Sequence, residues 1–393
     1  MKRIIRKSGH QSRRPRAPTL ADVANLVGCA PSVVSTVVNG AKGNVVVSEA
    51  MRERVLTAAT ELGYRVNFAS RSLATKRTYS IGLYFPDVAW SGPGYSYDDA
   101  ILSGVQSGCR ANGYDLVLVT TQGEQRLSTC LEYLMAGRID GIILAHVGRD
   151  GRWTEQLSEL SLPVVAVDFS RPPAWLDCMI FDNEAAVELA VDYLYRLGHR
   201  RIGFIGSEMS QPPLDAELRE NAFTTTMSEA GLAPPFDWIV SNETSNPVAT
   251  VVDRTLQRKI SDPTAWIAWN DLVAITLLAE LSRAGVKVPD EVSVMGIDNF
   301  GLCRLIFPSL TSINHPLAAM GHRAVEVLVE RCQAEGSTAV CQEVFAPTVA
   351  PRESTAAPPG RVTKSLSAPA PGKSNNQSTR TGRMSRLSRK EGD

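Results

Sequence analysis

The stretch from Thr19 to Gly40, TLADVANLVGCAPSVVSTVVNG, predicts two short helices joined by a tight turn. Its apolar residues recur at helical spacing in two blocks, LADVANLV and VVSTVV, with a Gly-Cys pair between them. Thr19 can cap the first helix in a capping box with Asp22. Pro31 suits the first turn of the second helix, where a backbone N–H would have no partner anyway, and Asn39-Gly40 is a typical helix stop.

Two short helices around a glycine-containing turn are typical of the helix-turn-helix unit, whose second helix enters the major groove of DNA. A helix pair of this kind is also common in ordinary cores, so the pattern alone leaves both interpretations open. A third helix, capped by Ser48 and ended by Gly63, is expected to close a small three-helix core. Its predicted apolar stripe consists of Val55, Leu56, Ala59 and Leu62.

The length and composition favour a multidomain globular protein. The chain has 393 residues, of which 44% are hydrophobic, so it can bury more than one core. It has no run of eighteen apolar residues, and its first eighteen residues are rich in arginine, so we expect neither a membrane span nor export but a cytoplasmic protein. Seven scattered cysteines without a CxxC pair predict no disulfide and no structural zinc. We also expect no other metal site and no cofactor.

The net charge of zero hides a strong segregation of signs. Residues 1–80 contain fourteen Lys and Arg against four acidic residues, a net charge of +10. Residues 352–393 contain nine basic and three acidic residues, a net charge of +6, so the segment between carries −16. Runs of charged residues usually form solvated helix faces, but that interpretation does not explain why the two signs are separated along the chain. A basic head on an acidic body indicates a polyanion, such as double-stranded DNA, as the partner of the head.

Four stretches carry a resemblance to a known family: TLADVA, VVSTVVNG, VSEAMRERVLTAATELGY and NFASRSLATKRTYSIGLYFPD. They are similar to the head and hinge of the LacI/GalR family of bacterial transcription regulators, and the similarity continues over residues 19–351. The resemblance implies a repressor that binds a pseudo-palindromic DNA operator as a homodimer. It also implies control by a small-molecule effector in a two-lobed, periplasmic-binding-protein-like body.

These observations divide the chain into five expected segments. A basic arm, residues 1–18, precedes a helix-turn-helix domain at 19–65 and a hinge helix or linker at 66–78. An effector-binding and dimerisation body follows at 79–351. Residues 352–393 are rich in Pro, Ser, Thr, Lys and Arg, and their composition, like that of the arm, predicts disorder. The basic tail could add nonspecific attraction to DNA or serve solubility alone.

The resemblance also assigns DNA contacts residue by residue. In the family, paired hinge helices insert a leucine from each subunit into a base step of the minor groove, and Leu73 matches that leucine. Three departures, Ala30 for a usual Ser, Thr36 for a usual guanine-reading Arg and Val66 for a usual Pro, prevent transfer of any known operator. The other expected DNA contacts are Thr19, Pro31, Ser32, Val33, Ser35, Thr36, Asn39, Asn67 and Ser70.

From Tyr79 onward, short apolar runs alternate with helix-length segments, which predicts parallel sheets covered on both faces. Two such halves would form two lobes with a ligand cleft at the carboxyl ends of the strands. The family's crossovers imply residues 79–178 with 306–334 in one lobe and 179–305 with 335–351 in the other. The expected strands are Ser80–Phe85, Asp115–Val119, Asp140–Leu144, Val164–Asp168, Arg201–Ile205, Ala265–Trp269 and Val292–Ile297.

Polar residues at strand ends are the candidates for this cleft, although helix capping is an equal alternative for any one of them. Asp271 is one such residue. The resemblance implies effector contacts for several others, and most strongly for an arginine in the segment RENAF. The expected ligand-binding residues are Asp87, Asp168, Arg219, Asn270 and Asp298. Guanidinium donors facing carboxylate acceptors suit a sugar or sugar derivative, and would equally suit a purine or nucleoside.

Two further features leave alternatives open. Trp90, Tyr95 and Tyr97, in a loop that departs from the family, could stack on a sugar or pack the rim of a lobe. The segment LIFPSLTSINHPLAAMGHRAVEVL is again close to the family and implies core and part of a dimer interface. No hydrolase, zinc-protease or P-loop motif occurs, so we expect no enzyme. The alternatives are an exported solute-binding protein, which would need a signal peptide, and a sugar-processing enzyme, which would show turnover.

Overall fold

The protein is described by a computed structural model that divides into two units, Met1–Pro359 and Gly360–Asp393. The second unit and residues 1–16 lie outside the described residues, so the predicted disorder of the arm and of the distal tail is not addressed by the structure. The described residues are 17–39, 46–65, 72, 75, 77–85, 96–119, 132–145, 157–158, 163–209, 212–232, 238–241, 246–257, 262–334, 336 and 338–359.

The head consists of three helices, α1 (Leu20–Val27), α2 (Pro31–Asn39) and α3 (Glu49–Glu61), as the sequence predicts. One position in the predicted core was wrong: Leu56 is 47% exposed, and Ala58 is buried instead. The buried face of α3 therefore passes through residues three and four apart on one side of the helix. The core of the head contains Val23, Ala24, Val27, Val34, Val37, Val55, Ala58 and Ala59.

The rest of the described chain alternates strands and helices. The strands are β1 (Ser80–Tyr84), β2 (Asp115–Val119), β3 (Gly141–Ala145), β4 (Val164–Val167), β5 (Asp177–Phe181), β6 (Ile202–Ile205), β7 (Ile239–Val240), β8 (Ala265–Ala268), β9 (Ser293–Asp298), β10 (Thr311–Asn314), β11 (Gln342–Phe345) and β12 (Thr348–Ala350). The helices are α4 (Ser96–Asn112), α5 (Asn183–Leu197), α6 (Leu214–Glu229), α7 (Pro247–Gln257), α8 (Asp271–Arg283) and α9 (Leu317–Gln333), with a 3₁₀ turn at Gly301–Arg304.

The strands form two sheets, one in each lobe. The first has the order β11-β5-β4-β3-β1-β2 and is parallel throughout its described pairs. The second has the order β12-β10-β9-β8-β6-β7, with β12 antiparallel to β10. Ile143 of β3 packs into one core cluster while its neighbours Ile142 and Leu144 pack into another. Both faces of the sheet are therefore covered, which confirms the predicted α/β class.

The predicted division of the chain between the lobes was wrong near the C-terminus. We expected residues 306–334 in the first lobe, but β10 pairs with β9 of the second sheet, Thr311 opposite Met295. We expected residues 335–351 in the second lobe, but β11 pairs with β5 of the first. The helix α9 between them does pack on the first lobe. The chain thus crosses between lobes after β5, after β10 and after β11.

The predicted start of the tail at residue 352 was also wrong. Ser354 is fully buried, its Oγ donates to the Val294 carbonyl at 2.6 Å, and the Val294 N–H donates to the Ser354 carbonyl at 2.9 Å. The Ala356 N–H donates to Ser293 Oγ at 3.1 Å. The segment 352–356 therefore belongs to the second lobe, held beside β9 by polar contacts rather than by apolar side chains.

Among the described residues, no single helix is long and apolar enough to cross a membrane. The bent pair Leu20–Val27 and Pro31–Val38 passes that test only by its combined length and composition, and these are the first two helices of the head.

Candidate functional site

The first candidate site is the helix pair of the head, which the local sequence fixes at both ends. Thr19 and Asp22 form the predicted capping box, with the Thr19 N–H donating to Asp22 Oδ2 at 2.7 Å. Gly28 ends α1 with φ 73°, a left-handed conformation that glycine adopts without strain. Arg54 of α3 donates to the Val27 carbonyl at 2.8 Å and satisfies the end of that helix. The two helices meet at 110°, within the range of helix-turn-helix units.

The second helix, α2, buries Val34 and Val37 in the core of the head. Its opposite side carries the residues for which we expect DNA contacts. Of these, Pro31 and Ser32 are exposed, and Val33, Ser35 and Thr36 are half-buried. The arrangement leaves one face of the helix available to a groove while the other holds the head together.

The departures from the family have visible consequences in this helix. The Thr36 hydroxyl donates to the Ser32 carbonyl one turn earlier, at 3.0 Å, so its proton is directed to the helix itself. The Ala30 carbonyl accepts from the Val33 N–H, but its side chain offers no cap. The side chain of Asn39 and the expected contacts at Asn67, Ser70 and Leu73, like Val66, lie outside the described residues.

The second candidate site is the cleft between the lobes. Asp168 directly follows β4 of the first lobe and Asp298 ends β9 of the second, so the two expected ligand carboxylates lie at carboxyl ends of strands. Both have positive φ angles, 56° and 115°, as does Asn299 at 59°. Non-glycine residues in this region carry backbone strain, which is concentrated at functional sites.

Arg219 is the most buried of the expected ligand residues that the structure describes, with 1% of its surface exposed. It lies on α6; its Nε donates to Asn183 Oδ1 at 2.7 Å and its Nη1 to the Trp269 carbonyl at 2.6 Å. Its nearest carboxylate oxygen is Asp298 Oδ1, 3.4 Å away. Burial alone would lower the pKa of Arg219, but Asp298 and neighbouring acids outweigh burial and raise it. The guanidinium is therefore charged and held on several sides.

His315 lies between the two carboxylates, although the sequence did not indicate it as a site residue. Its Nε2 is 3.5 Å from Asp168 Oδ1 and its Nδ1 is 3.5 Å from Asp298 Oδ1. These are ion-pair distances without the geometry of hydrogen bonds. The ring stacks on Phe181 with centroids 3.7 Å apart. Burial would lower the pKa of His315, but Asp168 and Asp298 raise it above its ordinary value, so the ring favours the charged form.

Tyr97 approaches the same carboxylate from α4: its hydroxyl donates to Asp168 Oδ2 in a short hydrogen bond. Its ring meets those of His315 and Phe300 edge to face. Burial and the charge of Asp168 raise the pKa of Tyr97 well above 10, so the phenol keeps its proton. Tyr97 thus lines the cleft. Trp90, Tyr95 and the expected ligand residue Asp87 lie outside the described residues.

The two polar residues after β8, Asn270 and Asp271, have different roles. Asn270 caps α8, with its Oδ1 accepting from the Val273 N–H at 2.9 Å, so the capping interpretation holds for that oxygen. Asp271 is fully buried and accepts from Ser312 Oγ at 2.6 Å and from the Phe300 N–H at 2.8 Å. Burial and the charge of Asp298 raise its pKa to about 7. Asp271 therefore fastens the loop after β9 rather than facing a ligand.

Three residues of the cleft, Phe181, Asn183 and His315, were missed by sequence analysis. Phe181 ends β5, Asn183 lies two residues further, and His315 follows β10. Neither strand was predicted. Had they been recognised, the rule that selected Asp168 and Asp298, a polar residue following a strand, would have indicated Asn183 and His315, but not the apolar Phe181. Over the described ranges, no group of His, Cys, Asp and Glu is arranged to hold a metal ion.

Comparison with family models places the chain in a known group. Residues 19–67 match the model of bacterial regulatory proteins of the lacI family, and residues 191–355 match that of the periplasmic binding protein-like domain.

Curated relatives span most of the chain. The ribose operon repressor of Haemophilus influenzae is 30% identical over 315 residues, which cover 80% of this chain and 91% of the relative. The ribose operon repressor of Escherichia coli K12 is 32% identical over 315 residues, covering 80% of this chain and 92% of the relative. The HTH-type transcriptional repressor PurR of Vibrio parahaemolyticus is 31% identical over 319 residues, with coverage of 80% and 91%.

Solved structures are also similar to this chain over most of its length. A complex of the transcriptional regulator CelR with cellobiose is 27% identical, has a TM-score of 0.61 and covers 86% of this chain and 99% of its own. A lac repressor dimer bound to operator and the anti-inducer ONPF is 24% identical, with a TM-score of 0.68 and coverage of 87% and 100%, and shows the same fold.

Proposed function

This chain belongs to the LacI family of DNA-binding transcriptional repressors, and from that premise we propose how it works. We propose that two copies grip a pseudo-palindromic operator through their helix-turn-helix heads. A small-molecule effector in the cleft between the lobes controls this binding. The protein acts as a regulator rather than an enzyme, in the cytoplasm on the bacterial nucleoid.

One observation carries the proposal: a single chain combines a capped helix-turn-helix head with a cleft that gathers charged side chains from both lobes. Asp168 belongs to the first lobe, Asp298 and Arg219 belong to the second, and His315 follows β10 of the second sheet. A ligand bridging these groups would stabilise one relative arrangement of the lobes. This is the physical requirement for a ligand to act on a distant DNA-binding surface.

For DNA binding, we propose that the exposed side of α2 reads the major groove through Pro31, Ser32, Val33, Ser35 and Thr36, with Asn39 at the end of the helix. Thr19 and the hinge residues Asn67 and Ser70 would contact the backbone or minor groove. Leu73 would act as the wedge that kinks the central base step. Because Thr36 cannot offer the two-donor fork with which arginine reads guanine, the operator is expected to differ from those of relatives that have arginine there.

For the effector, we propose an uncharged sugar or sugar derivative bound by Asp168, Arg219, Asn270, Asp298 and Asp87. The guanidinium donates, the carboxylates accept, and each sugar hydroxyl can do both. The cleft carries no excess of positive charge among its described residues, which disfavours a phosphorylated ligand. A purine or nucleoside is the alternative, since it also presents donors and acceptors to such a set of groups. The cellobiose complex of a related regulator supports the sugar.

The mechanism we propose is a change in how the lobes meet. An effector that binds one arrangement more tightly shifts the pair of hinge segments, residues 66–78 of each subunit, toward or away from DNA. The effector can shift the equilibrium between the two arrangements only by the difference between its binding free energies for them.

The first test is to select fragments of the source genome on the purified full-length protein at near-physiological salt, and to sequence those retained. Enrichment of a short inverted repeat is expected, and the genes beside it would indicate the effector class. Retention without sequence preference, lost steeply as salt rises, would contradict operator reading, because it is typical of backbone contacts alone.

A further inference from the structure

His315 lies where the chain crosses from the second lobe to the first. It follows β10 of the second sheet and precedes α9, which packs on the first lobe. Its backbone N–H donates to the carbonyl of Asp298, the last residue of β9, at 3.4 Å, so its main chain is attached to the second lobe. Its ring stacks on Phe181 and meets the ring of Tyr97 edge to face. Phe181 and Tyr97 belong to the first lobe, so His315 spans the boundary between the lobes.

The two ring nitrogens of His315 lie at equal distances from carboxylates of opposite lobes. Nε2 is 3.5 Å from Asp168 Oδ1 in the first lobe, and Nδ1 is 3.5 Å from Asp298 Oδ1 in the second. A neutral imidazole has only one N–H, so its other nitrogen would bring a lone pair close to one of the two negative charges. The imidazolium carries a proton on both nitrogens. This position of the ring therefore favours the positively charged form, and the face of Phe181 also attracts a cation.

Another cation of the cleft, Arg219, does not connect the lobes in this way. It donates to Asn183 and to the Trp269 carbonyl, and its nearest carboxylate is Asp298 at 3.4 Å, all in the second lobe. If His315 lost its charge, the carboxylates of the two lobes would therefore lie in a buried site without the cation that now lies between them. Like charges repel strongly where water is excluded, and separation of the lobes would relieve that repulsion.

Further titratable groups act on this cluster, namely Tyr97, Asp215 and Asp271. The Tyr97 hydroxyl donates to Asp168 Oδ2, and burial and the charge of Asp168 raise its pKa well above 10, so it stays protonated. Asp215, on α6, adds negative charge from the second lobe. Burial raises the pKa of Asp271 to about 7, but the hydrogen bonds of this carboxylate stay within the second lobe. Asp271 titrates near neutral pH as well, so only a comparison with a variant of His315 separates the two groups.

We propose that His315 is a positioning residue: in its protonated form it holds the two lobes in the arrangement described here. This rests on the proposed function, in which the arrangement of the lobes controls DNA binding. A proton then acts as a second regulator beside the effector. By linkage, binding of an effector that prefers this arrangement is accompanied by proton uptake, and binding of one that prefers separated lobes by proton release.

The direction of the pH dependence follows from the two carboxylates. Burial would lower the pKa of His315, but Asp168 and Asp298 outweigh burial and raise it above its ordinary value of 6.5. When the lobes separate, the ring loses Asp168 and its pKa falls. The stabilisation by His315 is therefore fully present below the pKa of the separated state, and it is lost as the pH rises through the raised pKa. Acid thus favours the arrangement described here, and mild base favours separation of the lobes.

The first measurement is the titration of the His315 ring in the full-length protein. The chain has five histidines, so their rings can be followed by NMR after ¹³C-histidine labelling and assigned by replacing them one at a time. Asp168→Asn removes the carboxylate of the first lobe, and Asp192→Asn is the matched control, a carboxylate on α5 that pairs with Arg196. We expect His315 to titrate above pH 6.5 in the wild type, about one pH unit lower in Asp168→Asn, and unchanged in the control.

The second measurement is the exposure of Phe181, which is 2% while the His315 ring stacks on it. Hydroxyl-radical footprinting with mass spectrometry gives its oxidation rate at about pH 6 and about pH 8.5. Phe204, fully buried in the second lobe, is the internal reference. In the wild type the rate at Phe181 should rise several-fold at the higher pH, relative to Phe204. In His315→Gln it should be high at both pH values, and in Asp168→Asn the pH dependence should be smaller than in the wild type.

Several results would overturn this role of His315. These are titration at or below pH 6.5, an unchanged titration in Asp168→Asn, or equal changes in Asp168→Asn and Asp192→Asn. An equal pH response of Phe181 in the wild type and His315→Gln would assign the response to another group, such as Asp271. The Asp168→Asn comparison keeps the ring in place, so it decides the matter if His315→Gln does not fold.

Neither measurement uses DNA or effector. A negative result here would therefore leave the proposed regulator in place. A negative operator selection would leave the charge of His315 between the lobes and remove only its part in regulation.

Discussion

His199 should make the second lobe sensitive to acid, and replacing it with glutamine should remove that sensitivity. Its side chain is fully buried at the end of α5. Nε2 lies 2.8 Å from the Ala356 carbonyl and Nδ1 lies 2.8 Å from Thr264 Oγ1. A carbonyl only accepts, so Nε2 carries the proton and the ring holds the segment 352–356 against the lobe as a neutral group.

The magnitude follows from the pKa. Burial lowers the pKa of His199 from 6.5 to about 4; the bond to Ala356 opposes this and Arg201 adds to it. The unfolded chain therefore binds a proton near pH 6.5 that the folded chain resists until about pH 4. The stability contribution is fully present above pH 6.5 and is lost as the pH falls between these values. It amounts to about 3 kcal/mol in total, most of which is lost by about pH 4.5.

The assay is urea unfolding at about pH 7 and about pH 4.5 for the wild type and His199→Gln, followed by tryptophan fluorescence and circular dichroism. Trp266, buried in the same lobe, is a suitable reporter. At the higher pH the variant should be somewhat less stable, because glutamine cannot reproduce both contacts. Between the two pH values the wild type should lose about 2–3 kcal/mol more than the variant.

Comparing the wild type with His199→Gln cancels the contributions of the other titratable groups to the pH dependence of stability. One of these groups is Asp271, whose raised pKa stabilises the folded state at low pH, opposite to the effect of His199. His322→Gln is the control, because His322 lies on α9 at the surface of the first lobe. If His199→Gln and the wild type lost equal stability on acidification, the burial argument would be refuted. A loss of acid sensitivity in His322→Gln would refute it equally.

Three further predictions test the separation of DNA binding from effector binding, the helix cap of the head, and the packing of the second lobe. Leu73→Ala should weaken specific DNA binding and leave effector binding intact, and Arg219→Ala should weaken effector binding and leave DNA binding intact. Both are measured by titration with operator and with ligand, and loss of both activities in either folded variant would contradict these separate roles. Thr19→Ala removes a capping box and should lower the stability of the head by about 1 kcal/mol in thermal unfolding, with Thr19→Ser as the control that keeps the hydroxyl and should be neutral. Gly203→Ala would place a Cβ in steric overlap with the buried Trp266 ring, so a loss of about 1–3 kcal/mol is expected in urea unfolding, and an unchanged midpoint would show that the ring can move.

Local patterns predicted the elements of the fold well where each element carries its own signal. The capping box at Thr19, the tight turn at Gly28 and the cap at Ser48 all appear where the sequence predicted them. The long apolar strands, such as β1 and β3, were also found within one or two residues of their ends. These features depend on neighbours in sequence, so the sequence alone contains them.

Two of the strands that sequence analysis missed, β7 and β11, are short and lie at the edges of their sheets. β11 alternates exposed and half-buried residues, and β7 has only two residues, so neither has the apolar run of a central strand. Their place is decided by backbone pairing with a distant strand. The crossovers between lobes were misplaced because β10 and β11 were missed, and Phe181, Asn183 and His315 were overlooked because the interior strands β5 and β10 were missed.

Sequence by itself determined the helix-turn-helix head, the α/β class of the body, and Asp168, Arg219 and Asp298 as candidate ligand residues, because each rests on local periodicity, on caps or on a motif. Only the tertiary structure decided that His315 lies between Asp168 and Asp298, and that the segment from residue 352 belongs to the second lobe. The physical reason is the same in both cases. Charges and backbone groups that lie far apart in the chain interact only when they are close in space, and the pairing of strands within the sheets decides which of them are close.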